Sequence, residues 1–226
     1  DATIKAYPHQ VDAVSHAMNN DRCLLLSPTG SGKSFIIYCL LRYYLEVLPE
    51  DKKLLIVVPT KSLVSQMISD FAEYSKLNGW DVPKNCHYIF GGKDKETEKR
   101  VVVSTWQSIY KLPKSYFEQF GAVFGDECHL FKSKSLTTLM TKLVDCDYRI
   151  GTTGTLDGTQ THKLVIEGLF GPVYDVTSTK KLIDKKLLTE LNIDCILLEY
   201  EDALRKSLKG MTYQEEMDWL TTNENR

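Results

Sequence analysis

The chain alternates short, unbroken apolar runs with longer stretches whose apolar positions recur at helical spacing. The runs Cys23–Ser27, Leu54–Val58, Tyr88–Phe90, Val101–Ser104, Ala122–Phe124 and Arg149–Thr152 mostly lack polar alternation. A strand with one wet face alternates, whereas a strand buried on both faces does not. The runs therefore predict a parallel sheet covered on both sides. Helical spacing appears between them, over Pro8–Met18, Lys33–Val47, Ser62–Leu77, Lys114–Phe120 and Ser135–Leu143. Pro8 and Pro113 suit first helical turns, where a missing N–H costs nothing. This alternation builds βαβ units and predicts a doubly wound, mostly parallel α/β sheet with helices on both faces.

After Leu156 the texture changes. Asp157–Thr161 reads as a polar turn, Val173–Val176 and Asn192–Tyr200 as further strands, and Tyr213–Leu220 as a helix in a charged tail. We therefore expect a main domain over residues 1–178 and an extension over 179–226. Asp94–Arg100 carries both charge signs and reads as a solvated loop.

Composition and charge exclude more than they assign. Six cysteines, Cys23, Cys39, Cys86, Cys128, Cys146 and Cys195, include no C-x-x-C pair and no histidine cluster, against zinc or a disulfide framework. That usage suits a reducing, cytoplasmic compartment. No apolar run approaches the roughly 20 residues that span a bilayer. The start, Asp1 to Lys5, lacks the pattern of a signal peptide. It leads into a motif almost at once, as an excised domain would. The net charge of −2 gives no bulk sign of a nucleic-acid partner, so such a contact would have to be local.

Two segments carry candidate chemistry. The first strand enters Ser27-Pro-Thr-Gly-Ser-Gly-Lys-Ser34, and a helix begins at Lys33. A polyphosphate needs converging N–H donors and the positive end of a helix, and this arrangement supplies both. Thr29, Gly30, Ser31 and Gly32 form the cradle. Lys33 is placed to reach the β- and γ-phosphates of ATP, and the Ser34 hydroxyl to join a Mg²⁺ shell. The strict Walker pattern has glycine where Ser27 stands. The second segment is Ala122-Val-Phe-Gly-Asp-Glu-Cys-His129, an apolar strand ending in two acids. Ligands of open α/β sheets bind at that strand end. Asp126 would hold Mg²⁺ through its water shell, and Glu127 would orient the attacking water as a general base. His129 would sense the γ-phosphate.

Together these segments resemble the superfamily 2 helicases of the Asp-Glu-x-His branch, and the likeness covers most of the chain. Tyr7-Pro-His-Gln10 resembles the glutamine motif, Ser27–Ser34 motif I, Val57–Gln66 motif Ia, Asp126–His129 motif II and Thr153-Gly-Thr155 motif III. Val102–Gln107 resembles the segment before motif II. Motif I of that family accepts serine at the first position, which removes the objection to Ser27. A closer likeness to phage recombination and fork-remodelling helicases rests on Val101–Gln107, Phe120-Gly121, Asp126–Leu130 and Lys209–Glu216.

The resemblance implies a RecA-like ATP-binding domain that works with a second RecA-like domain. It implies that Gln10 reads adenine, that Thr60, Lys61, Thr105 and Gln107 follow a nucleic-acid backbone, and that Thr153 and Thr155 couple the two sites. Each has a plainer reading: Gln10 as a polar residue of the first helix, Thr60 as a helix cap, Thr153 and Thr155 as a strand exit. Trp106 reads as core, and Gly91-Gly92 as a turn. No Gln-x-x-Gly-Arg-x-x-Arg motif occurs, so the catalytic arginine is expected on the second domain. An arginine finger is worth about 10³–10⁵ in rate, so this chain alone is expected to bind nucleotide and hydrolyse it poorly. DNA is the favoured substrate. An RNA helicase, a non-motor nucleotide switch and a small-molecule kinase are the other readings.

Overall fold

The computed structural model describes residues 4–76, 78–156, 159–190, 193–195, 206 and 208–222. Contacts divide the chain into two units, Asp1–Leu188 and Thr189–Arg226.

The first unit is built on a seven-stranded sheet. In chain order the strands are β1 (Arg22–Leu26), β2 (Lys53–Val58), β3 (Cys86–Ile89), β4 (Val101–Thr105), β5 (Phe120–Gly125), β6 (Tyr148–Thr153) and β7 (Val173–Asp175). Their order across the sheet is β3-β4-β2-β5-β6-β1-β7, and every pair is parallel. The strands expected up to Val176 are all present, within one or two residues at most ends.

The missing polar alternation has a direct cause. Along β2, Leu54, Ile56 and Val58 enter one buried cluster while Leu55 and Val57 enter a second on the opposite face. Val101 and Val103 of β4 join the first cluster and Val102 the second. Helices α1 (Pro8–Met18), α2 (Lys33–Val47) and α3 (Lys61–Ser75) cover the first face through residues such as Ala13, Ile36, Leu40, Val64 and Phe71. Short helices α4 (Val82–Asn85), α5 (Trp106–Ile109) and α6 (Lys114–Phe117) fill connections. A 3-10 helix (Cys128–Lys132), α7 (Lys134–Lys142) and α8 (Gln160–Phe170) cover the second face. Pro113 caps α6 rather than opening its first turn. Trp106 packs, half-buried, against the second cluster, as expected of a core residue.

The polar turn expected over Asp157–Thr161 gives way to α8 at Gln160. Its helical periodicity is blurred, because Ile166 and Phe170 are buried while the neighbouring Leu164 and Val165 stay exposed. The ring of Phe170 occupies the space where Gly125 of β5 and Gly151 of β6 would otherwise carry Cβ atoms, at 2.7 and 3.0 Å. Those glycines face each other in register, so α8 lies directly on the strands that end at the acidic segment. Helix α9 (Thr179–Asp184), capped by Ser178, closes the unit.

In the second unit α10 (Tyr213–Thr222) starts where Thr212 and Glu215 bond reciprocally. Ile193 to Cys195 carry no strand, and the rest of the strand expected over Asn192–Tyr200 lies outside the described residues. All six cysteines are free thiols. Among the described residues no helix is long and apolar enough to cross a membrane.

Candidate functional site

The loop after β1 leads into α2 through two glycines in the left-handed region, Gly30 at φ 80° and Gly32 at φ 83°. Gly32 is the N-cap of α2 and no side chain caps that helix. The N–H groups of Lys33 and Ser34 therefore stand at the helix head with no intrahelical acceptor, which is the donor set a phosphate requires. The loop is braced from below. The Ser27 hydroxyl donates to Ser31 Oγ at 2.6 Å, and Ser31 Oγ donates to the Pro28 carbonyl at 2.6 Å. From α1, His9 Nε2 and Gln10 Nε2 donate to the Ser31 carbonyl at 2.9 and 3.0 Å. Ser27, the departure from the strict pattern, is thus the first link of an internal chain.

Gln10 is buried and its amide is committed at both ends, since Oε1 also accepts the Tyr7 N–H at 2.9 Å. Reading a base would require it to leave these partners. Lys33 Nζ donates to the Ser27 carbonyl at 3.3 Å and lies 3.9 Å from Glu127. The Ser34 hydroxyl is engaged by Tyr74 Oη of α3 at 2.9 Å. Entry into a metal shell would require it to turn away from that partner. The ring of Tyr74 is also packed against Phe35, and burial raises its phenol above the usual range.

The acids arrive on β5, one strand removed from β1. Between them lies β6, whose end supplies partners to both segments. Thr152 of β6 donates to Asp126 Oδ1 at 2.8 Å. Asp126 is buried, and burial pushes its carboxyl above the ordinary carboxylate range, with Glu127 adding to the rise; the Thr152 hydrogen bond and Lys33 oppose it. Glu127 adopts φ 52°, a left-handed conformation that costs a non-glycine residue about 1 kcal/mol or more. Its two oxygens meet Lys33 and, at 3.2 Å, His129 Nδ1.

His129 Nδ1 also lies 3.0 Å from Thr153 Oγ1, whose own hydrogen goes to the Thr155 carbonyl at 2.9 Å. Thr153 must therefore accept from His129, which fixes the proton on Nδ1. The structure thus brings Lys33, Glu127, His129, Thr153 and the Thr155 backbone into one line. His162 of α8 supports it from behind by donating to the His129 carbonyl at 2.8 Å.

Asp126 offers a single carboxylate, held by Thr152 and the Glu127 backbone, and no cluster of three or more His, Cys, Asp or Glu stands among the described residues. That donor set suits Mg²⁺, which takes one or two protein ligands and completes its shell with phosphate and water. It does not suit a metal that needs a full protein cage.

A second group of expected residues meets on the same sheet edge, beyond β2 and β4. Thr60, Lys61, Thr105 and Gln107 line one groove of ≈ 590 Å³. Thr60 caps α3 through Leu63 N–H at 3.3 Å, as its plainer reading has it. Thr105 is buried with its hydroxyl 2.8 Å from Ser108 Oγ, and Gln107 Nε2 donates to the Pro59 carbonyl at 3.2 Å. Lys95, from the Asp94–Arg100 loop read as merely solvated, and Lys93 just before it line the same groove. Three lysines and no acid face it, and none of the three is ion-paired among the described residues. This is the local positive surface that the overall charge conceals. Sequence reading also missed Thr152, Tyr74, His9 and Leu188, whose Cδ2 lies 2.6 Å from the place of a Gly30 Cβ. His9 lies inside the Tyr7–Gln10 segment but was given no role there, and no motif marks the other three.

Comparison with known proteins follows the same lines. The family model described as "Type III restriction enzyme, res subunit" matches residues 3–158. The ATP-dependent DNA helicase uvsW of Enterobacteria phage T4 is 38% identical over 222 residues, covering 96% of this chain and 43% of that protein. The chain thus spans less than half of that relative. The crystal structure of the bacteriophage T4 UvsW helicase matches with TM-score 0.68 and 37% identity, over 76% of this chain and 60% of that one. The Hef helicase domain of Pyrococcus furiosus matches in fold with TM-score 0.63 at 22% identity, over 75% of this chain and 38% of that one.

Proposed function

Because this chain belongs to the family of the type III restriction enzyme res subunit, we propose that it is the nucleotide-binding half of an ATP-driven DNA helicase or translocase. The observation that carries this reading is the meeting of Lys33 and Glu127, from the segments that follow β1 and β5, across the end of β6. A lysine for the β- and γ-phosphates then stands beside the carboxylate that would activate water. Asp126 and Ser34 would hold Mg²⁺, which would neutralise charge on the phosphates. Glu127 would accept a proton from the attacking water. His129 and Thr153 would report the outcome to the segment ending at Thr155.

Nucleic acid would run along the groove of Thr60, Lys61, Thr105 and Gln107, with its phosphates on the lysines. Backbone contacts of this kind are blind to sequence. The 38%-identical phage relative is named a DNA helicase, which favours DNA; a role in recombination or repair in a host cytoplasm belongs to the same proposal. A second RecA-like domain would close the cleft and supply the arginine. The test is the ATPase rate of the full-length protein with forked DNA and with structured RNA. Stimulation by forked DNA well above that by RNA is expected. Equal stimulation by RNA would overturn the DNA assignment, and no stimulation by either would overturn the motor.

A further inference from the structure

The edge strand β3 carries a feature that the motifs leave unexplained. Tyr88 is 38% exposed, a large value for an aromatic ring on a strand. Its ring lies nearly parallel to that of Phe90, with centroids 6.0 Å apart and planes at 22°. Phe90 rests in turn against the first core cluster, so the pair is braced from behind. Lys93 Nζ sits 3.8 Å from the Tyr88 ring centre and 5.0 Å from that of Phe90. Ser65 and Ile68 of α3 complete a notch of ≈ 330 Å³ around these three residues.

The notch is continuous with the groove. Lys93 lines both, and the turn Gly91-Gly92 between them belongs to the groove wall. We propose that Tyr88 and Phe90 form a stacking seat for an unpaired nucleobase of the strand whose phosphates follow the Lys61–Lys93 groove. This rests on the groove being a nucleic-acid path. The chemistry selects the occupant. A ring face that already draws a cation offers a π surface, and every base has one to match. When a base takes that face, the Lys93 ammonium is displaced toward the groove, where a phosphate of the same strand can pair with it. An apolar protein surface would instead bury the Lys93 charge without a partner, which is strongly disfavoured. The seat would turn a backbone-tracking path into one that holds single-stranded nucleic acid at a fixed register.

The test uses the full-length protein and a single-stranded DNA oligonucleotide at several salt concentrations. Stacking on one aromatic residue is worth enough that Tyr88→Ala should weaken binding about 5- to 150-fold. Its salt slope should stay that of the parent, because no phosphate contact is lost. Tyr88→Trp should restore affinity, and Tyr88→Leu, which keeps the packing, should not. An abasic site walked along the oligonucleotide should weaken the parent protein at one position and leave Tyr88→Ala indifferent to position. Lys61→Ala should instead lower the salt slope by about 0.7. If Tyr88→Ala or Tyr88→Leu binds as the parent does while Lys61→Ala is impaired, the stacking seat is wrong and the groove stands. If Lys61→Ala also binds normally, the groove reading falls with it. Unchanged DNA binding with an altered oligomeric state in Tyr88→Ala would make the notch a protein contact and likewise overturn the proposal.

Discussion

The two candidate sites share one edge of one sheet but differ in how far their side chains are committed. At the proposed nucleotide site nearly every candidate group has an internal partner: Gln10 with Ser31, Ser34 with Tyr74, Asp126 with Thr152, and Glu127 with Lys33 and His129. At the groove, Lys61, Lys93 and Lys95 face solvent without a carboxylate. Chemistry on phosphate needs groups held in place before the substrate arrives, because preorganised charge is the largest single source of acceleration. Tracking a backbone needs cations free to pair with whichever phosphate comes past. Substitutions in the first region should therefore act on turnover, and substitutions in the second on affinity and its salt dependence.

The widest separation between the regions should come from Glu127→Gln in the full-length protein. Loss of a general base costs about 10²–10⁴ in rate, so ATPase should fall by that factor while single-stranded DNA binding holds. Steady-state phosphate release beside a binding titration checks both halves. Unchanged hydrolysis would remove Glu127 from the chemistry.

Asp126→Asn should act on stability, and its sign follows from burial. The folded carboxyl titrates above its ordinary range, so the folded state binds the proton more tightly than the unfolded chain. Stability then falls as pH rises from the ordinary carboxylate range through the raised value, and the cost is complete above it. In the presence of a chelator the variant should melt above the parent at neutral pH, with the gap closing as pH is lowered. Thermal melts across that range provide the check. A gap that widens toward acid would show that the charge is not strained.

Thr60→Ala removes the α3 cap and should lower unfolding free energy by about 1 kcal/mol, read from chemical denaturation. Thr60→Asn should restore stability as a cap. If it also restores DNA affinity lost in Thr60→Ala, the residue acts by holding the helix and not by touching phosphate. The smallest effect belongs to Tyr74→Phe, which frees Ser34. One hydrogen bond is worth about 1 kcal/mol net, so affinity for Mg²⁺-nucleotide should rise by about fivefold. A fall would mean that Tyr74 positions Ser34 productively.

The groups of the proposed nucleotide site were easy to find in the sequence because they are local in the chain. Eight consecutive residues, Ser27 to Ser34, make the proposed cradle, and Asp126 to His129 follow directly on a single strand, β5. The sheet was legible because parallel strands buried on both faces leave long apolar runs. What sequence did not show depends on contacts between distant segments. Thr152 matters because β6 lies between β5 and β1, an order no pattern states. Lys93 and Lys95 sit in a loop with Asp94 and Glu96, and only folding turns the lysines toward the groove. Helix α8 was hidden by exposed Leu164 and Val165 beside buried Ile166 and Phe170. Gln10 is legible as part of a motif, but its bond to Ser31 is visible only in three dimensions.

The central claim is that Ser27–Ser34 with Asp126–Glu127 is an ATP site whose turnover depends on a facing domain. Its most direct test is titration of the 226-residue chain and its Lys33→Ala variant with a fluorescent ATP analogue and Mg²⁺, with phosphate release followed in the same samples. We predict saturable binding by the parent chain, at least about tenfold weaker in Lys33→Ala as expected for loss of a charge-assisted contact, and turnover near background in both. Equal binding by the two proteins, or rapid turnover by the isolated chain, would contradict it.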